Sequence, residues 1–283
     1  MSTIHTDLLG TETRYYQTAS FRTRCIEAGS GEPLLLLHGG GGHAETYSRN
    51  IVRLGQRHRA MAIDFLWHGL SSKPPFKPGN WLKDLTHQVL ELMDSLRIER
   101  ASIEGESLGA WVAMDMALHH RDRVNKIVLN TAWGMNVPGI SEGDFQSLRE
   151  TSMNALRNPT RELIRKRMEW LMPLGGTTDE IVDVRLALWS RPDTRESLMA
   201  YYDRLFNPEC TQFMFGLDKL AQISAPTLLL WTEKNPYAGP PVARAMAEVI
   251  RGAQLYVMKG AAHWPQWENP IEHDQVTLGF LAQ

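Results

Sequence analysis

No stretch constrains this chain more than Arg100-Ala-Ser-Ile-Glu-Gly-Glu-Ser-Leu-Gly-Ala-Trp-Val-Ala113. A short β-favouring run, Ala101 to Ile103, leads into Gly105-x-Ser107-x-Gly109, and a helical pattern starts at once. Strand, sharp turn and helix in that order are the context of a nucleophile elbow. On so tight a turn the residues two places to either side of the serine are pressed together, and Gly105 and Gly109 leave the room. The Ser107 hydroxyl then projects from the strand end. The N–H of Leu108, at a helix N-terminus, is left free to receive an oxyanion. The pentapeptide by itself is common; its flanks favour the catalytic reading over a chance loop.

The chain around it alternates. Pro33-Leu-Leu-Leu-Leu37 reads as a fully buried strand and stops at His38-Gly-Gly-Gly-Gly42, before a helical stretch from Thr46 to Leu54. Neither GxxxxGK[ST] nor a properly framed GxGxxG is present, which argues against a phosphate loop. Two short alternating segments between Tyr15 and Glu27 predict an antiparallel hairpin. Ala60 to Ile63 predicts a strand, Asn80 to Leu96 an amphipathic helix, and Lys126 to Leu129 a further buried strand. His68, in the turn after Asp64, reads better as a residue that holds the turn than as a catalytic one. From about Gly134 the pattern becomes helix after helix, and strands resume only at Pro226–Trp231 and Gln254–Met258. The expectation is an α/β fold with a mostly parallel sheet and helices on both faces. Residues 1–133 and 214–283 form its core, and residues 134–213 an inserted helical lid over the carboxyl edge, where such sheets bind ligands.

A net charge of −2 gives no electrostatic reason to expect a nucleic acid or an anionic membrane as partner. No apolar run approaches the ~20 residues that span a bilayer. The first ten residues carry no basic segment followed by an apolar one, so no secretion signal is expected. The two cysteines, Cys25 and Cys210, are far apart and belong to no metal-ligand pattern. They read as free thiols of a reducing compartment, and the expectation is a cytoplasmic protein with neither metal nor cofactor.

Late in the chain, Gly260-Ala-Ala-His263-Trp264-Pro-Gln-Trp-Glu268 places a histidine after the last strand. With the elbow and His38-Gly-Gly-Gly41, this resembles the α/β-hydrolase superfamily over nearly the full length. More narrowly it resembles the meta-cleavage-product hydrolases, which cut a C–C bond in ring-opened catechols; tryptophan directly after the histidine is a habit of that group. The resemblance implies Ser107 as nucleophile and His263 as its base, in the order Ser, acid, His. It implies an oxyanion hole from the N–H groups of Gly40 and Leu108. Gly39, Gly41, Glu106, Arg185 and Trp264 would touch a small-molecule substrate, an anionic dienoate, and the enzyme would be a homodimer. Arg185 comes from the spacing of Thr178-Asp-Glu-Ile-Val-Asp-Val-Arg185; its alternative is a solvated helix face. Trp170, Met172, Trp189 and Phe213 are candidates to line the lid pocket.

Two positions depart from the family pattern. After the Pro226–Trp231 strand, where an aspartate is expected, the chain reads Thr232-Glu-Lys-Asn235-Pro236. Asn235 can orient an imidazole without stabilising its cation by a full charge, and Glu233 is the nearby alternative. Glu106 stands where asparagine is usual, and a carboxylate there repels an anionic substrate unless protonated or paired. Three functions stay open: the C–C hydrolase, a carboxylesterase or lactonase using the same serine, and a binding protein on a hydrolase scaffold.

Overall fold

A computed structural model of the protein describes residues 3–140 and 142–283. Eight strands form one sheet: β1 Glu12–Gln17, β2 Arg22–Ala28, β3 Pro33–Leu37, β4 Arg59–Ile63, β5 Ala101–Glu106, β6 Val124–Asn130, β7 Thr227–Thr232 and β8 Gln254–Met258. Their spatial order is β1-β2-β4-β3-β5-β6-β7-β8. The β1–β2 and β2–β4 pairs are antiparallel and every other pair is parallel.

The apolar run of β3 shows why the sheet is covered on both sides. Leu35 and Leu37 join one core cluster and Leu34 and Leu36 the other, all four with no exposed surface. Alternate residues of a strand point to opposite faces, so a continuous apolar run demands cover on each. On the first face lie α3 (Leu82–Ser95) and α4 (Leu108–His119); on the second, α2 (Ser48–Leu54) and α12 (Pro270–Leu281). Short helices α1 (Ile4–Asp7), α9 (Leu217–Leu220) and α11 (Pro265–Glu268), with α10 (Pro240–Val249), complete the frame. The helix predicted from Thr46 begins as a 3₁₀ turn, Ala44–Tyr47, that leads into α2.

Between β6 and β7 the chain leaves the sheet for α5 (Glu142–Arg157), α6 (Arg161–Leu171), α7 (Asp179–Trp189) and α8 (Pro192–Leu205). Thr160 and Thr178 cap α6 and α7 through their side chains, and Pro192 opens α8, each a local stop-and-start signal. The two ends of the excursion meet in a bridge between Met135 and Phe215. The helices are fastened to the strand ends below them. Trp189 Nε1 donates to the Gly41 carbonyl at 3.1 Å, Tyr202 Oη to the Gly40 carbonyl at 3.1 Å, and the His263 N–H to the Leu171 carbonyl at 3.1 Å. Among the described residues no helix is long and apolar enough to cross a membrane.

Candidate active site

Ser107 stands at the end of β5 with φ 53° and ψ −107°, a conformation that L-residues rarely adopt and that marks a strained turn. Its neighbours show why glycine is needed. A Cβ on Gly105 would lie 2.2 Å from the Gly109 carbonyl carbon, and one on Gly109 would lie 2.0 Å from the Leu37 carbonyl oxygen. The turn is braced by the Ser107 N–H donating to the Asn130 carbonyl at 3.0 Å. Leu108 is the first residue of α4, where no intrahelical acceptor exists for its N–H.

His263 arrives on the loop between β8 and α11. Glu268 holds that loop by accepting from the Ala262 N–H at 3.0 Å and the Trp264 N–H at 2.9 Å, while burial pushes its carboxyl up to about 7. Nδ1 of His263 lies 2.8 Å from Asn235 Oδ1, and Asn235 Nδ2 donates to the Ala238 carbonyl at 2.8 Å. Glu233 is exposed and lies 3.6 Å from Lys234 instead. Of the two candidates for the acid slot, Asn235 is the one in contact with the ring. On its other side, His263 Nε2 is 3.1 Å from Glu106 Oε1. Among the described residues no hydrogen bond joins Ser107 to His263, although both line one cavity.

That cavity has Gly39, Gly40, Glu106, Ser107, Leu108, His263 and Trp264 on its floor. Its roof comes from Leu148 of α5, Arg167 and Leu171 of α6, and Tyr201, Tyr202 and Leu205 of α8, with Trp133 at one side. It is narrow, with about 30 Å³ free, room for a water or two. The glycine loop fits under the roof for lack of side chains: a Cβ on Gly39 would lie 2.2 Å from Glu106 Oε2, and one on Gly40 2.9 Å from Tyr201 Oη. Gly41, at φ +70°, would need its Cβ 2.5 Å from Tyr202 Oη.

Arg185 is wholly buried, which overturns the solvated-face alternative. None of its three guanidinium nitrogens has a hydrogen-bond partner among the described residues. Its guanidinium lies 5.2 Å from the ring of Trp264, which lines the cavity, and 5.6 Å from that of Trp189; Arg185 itself is not in the cavity lining. Burial lowers its pKa to about 10, and neighbouring Arg167 adds to the fall.

Arg167 is a cavity residue that sequence reasoning passed over. Its Nε donates to Ser152 Oγ at 2.7 Å, and its Nη1 has no partner among the described residues. A signal was available, because Ile164, Arg167, Met168 and Leu171 form the buried stripe of α6, with a cation inside an apolar spacing. The expected lining residues Trp170, Met172, Trp189 and Phe213 are not in this cavity wall. On α6 the inward face is that of Arg167 and Leu171, which leaves Trp170 only half-buried, and Phe213 lines a separate surface hollow. His68 is buried in its turn, with Nδ1 2.8 Å from the Leu66 carbonyl and burial depressing its pKa to about 3.

The family model described as alpha/beta hydrolase family matches residues 34–272, which span the glycine loop, the elbow, the helical excursion and the His263 loop. The chain belongs to the alpha/beta hydrolase family. Among curated proteins, the 2-hydroxy-6-oxononadienedioate/2-hydroxy-6-oxononatrienedioate hydrolase of Cupriavidus pinatubonensis is 28% identical over 271 residues, 93% of this chain and 91% of that protein. The 2-hydroxymuconate semialdehyde hydrolase of a Pseudomonas species is 26% identical over 275 residues, 94% of this hydrolase and 92% of that one. Among solved structures, the 2-hydroxy-6-oxo-6-phenylhexa-2,4-dienoate hydrolase of a Rhodococcus species superposes with a TM-score of 0.85 at 19% identity, over 96% of this chain and 99% of that one. That last likeness concerns the fold.

Proposed function

We propose that this hydrolase cleaves a C–C bond in an anionic ring-fission product of an aromatic compound, a vinylogous 1,5-diketone, with Ser107 as nucleophile and His263 as proton carrier. The observation that carries the proposal is Arg185, a buried guanidinium with no hydrogen-bond partner among the described residues, packed against Trp264 of the cavity that Ser107 and His263 line. An unpaired buried cation costs several kcal/mol, roughly, and a substrate carboxylate is the planar, bidentate partner that would offset it. The named activities of the two curated relatives point the same way.

In this reading Arg185, with Trp264 and the glycines of the loop, seats the carboxylate end of the dienoate. His263 helps convert the dienol to its ketone. Ser107 or a water it activates then attacks the remaining carbonyl, and the C–C bond breaks with the dienolate as leaving group. The N–H groups of Gly40 and Leu108 hold the oxyanion, each worth ~3 kcal/mol of transition-state stabilisation. Asn235 fixes the tautomer of His263 without adding charge. A substrate of this size does not fit into about 30 Å³, so the excursion of residues 134–213 acts as a lid that moves to admit it. A dimer in the cytoplasm belongs to the same reading: its support is the family resemblance and, for the compartment, two buried free thiols.

The test is a steady-state comparison of a chromophoric 2-hydroxy-6-oxo-dienoate with a neutral nitrophenyl ester. The dienoate is expected to have the higher kcat/KM by about 10²-fold, the scale of one charge-assisted pair the ester cannot make. Turnover of the ester alone would make the protein an esterase, and turnover of neither a binding protein.

A further inference from the structure

Asn235 settles which proton His263 carries on one side. Its amide nitrogen is engaged by the Ala238 carbonyl at 2.8 Å, so the end that faces the ring at 2.8 Å is its oxygen. Flipping the amide would set two acceptors against each other at Ala238. Nδ1 of His263 is therefore a donor, and in a neutral ring Nε2 is left with a bare lone pair. Yet Nε2 lies 3.1 Å from Glu106 Oε1, and neither Glu106 oxygen is reached by any hydrogen-bond donor of normal geometry among the described residues. A lone pair and a buried carboxylate that close repel, and a buried carboxylate without a donor is costly. One proton between them removes both penalties. No N–H of Arg185 or Arg167 reaches either Glu106 oxygen.

We propose that Glu106 and Nε2 of His263 hold one proton between them in the free enzyme, and that this is the proton delivered to carbon when the dienol substrate becomes its ketone. The idea rests on the C–C hydrolase reading above and names the residue that supplies its first step. In that step the terminal C=C electron pair takes the proton at carbon, and the enol O–H pair becomes the new C=O bond. The hydroxyl proton returns to the Glu106–His263 pair, which ends with the charge it began with. Two departures from the family pattern then compensate: the carboxylate absent at Asn235 is present on the opposite edge of the ring.

The test combines NMR of enzyme carrying ¹⁵N-labelled histidine rings with single-turnover decay of the dienoate chromophore, in the native enzyme and in Glu106→Gln. At neutral pH the native His263 ring, assigned by comparison with a His263→Ala sample, is expected to show downfield proton signals on both nitrogens. In Glu106→Gln the Nε2 signal is lost and ketonisation slows about 10²-fold, the usual worth of a positioned acid. A native ring protonated on Nδ1 alone overturns the proposal without need of any variant. So does a Glu106→Gln enzyme that ketonises at the native rate. If the native enzyme shows both signals but leaves the dienoate untouched, the C–C reading falls, and the delivery with it, while the shared proton stands.

Discussion

Two glutamates two residues apart on β5, Glu104 and Glu106, anchor two buried charged clusters that are built in opposite ways. Behind the sheet, His273 lies 3.0 Å from Glu104 and 2.9 Å from Asp274. Asp274 also accepts from Asn50 at 2.8 Å and from Arg53 Nε at 2.6 Å, and Glu104 from Asn130 at 2.9 Å. Opposite charges there neutralise one another before any ligand arrives, and they tie α12 and α2 to the sheet. At the cavity, among the described residues, Glu106 meets only the edge of His263, and Arg185, packed against Trp264 of the wall, has no hydrogen-bond partner on any nitrogen. A cluster that closes on itself serves the fold. One left open in a buried site is a standing cost that a bound anion would relieve, which is why perturbed, unpaired charges mark function more often than structure.

The comparison breaks most clearly at His273. Burial opposes its charge, but Glu104 and Asp274 more than offset this and raise its pKa to about 9. A group raised in the folded state stabilises below its unfolded pKa, near 6.5, and loses that contribution as pH rises through about 9. Replacing His273 with Gln takes from buried Glu104 its cation and leaves Asp274 with Arg53 and Asn50, so a loss of roughly 3–5 kcal/mol in urea unfolding at pH 6 is expected. The turnover number of the folded fraction should be unchanged. The native protein should weaken from pH 6.5 to 9.5 and the variant should not follow that slope.

At Arg185 the same kind of change should act the other way round. Arg185→Leu is expected to raise KM for a dienoate by ~30- to 100-fold, about 2–3 kcal/mol of lost charge-assisted pairing, and to leave that for a neutral ester within a few-fold. Its unfolding free energy should hold or rise, because the residue removed is an unpaired buried charge. A destabilised variant with equal effects on both substrates would move Arg185 into the structural class with His273.

How much of this was legible beforehand follows from how local each feature is. The elbow could be read because its glycines, serine, strand and helix occupy consecutive residues whose sterics are self-contained. The apolar runs of β3 and β7 announced buried strands, since no polar residue interrupts them. The loop of His263 could be placed after the last strand, and Asn235 after the one before, but their 2.8 Å contact needed two loops to converge. The pairing of Glu106 with His263 was out of reach for the same reason: position 106 read only as a carboxylate in an awkward place. Arg167 was hidden by helix phase, and Trp170, three residues on, drew attention because it is large and aromatic. Sequence pattern reports which face of a helix is apolar more readily than which cation that face carries inward.

The central claim is that the cavity receives an anionic dienoate paired with Arg185 and that Ser107 cuts it. The most direct measurement mixes the Ser107→Ala enzyme with a chromophoric 2-hydroxy-6-oxo-dienoate and follows the absorbance spectrum through binding and turnover. The account predicts a saturable spectral shift on binding with an affinity near that of the native enzyme, and cleavage slowed by ~10³-fold or more. Cleavage within tenfold of the native rate, or no binding at all, would contradict it.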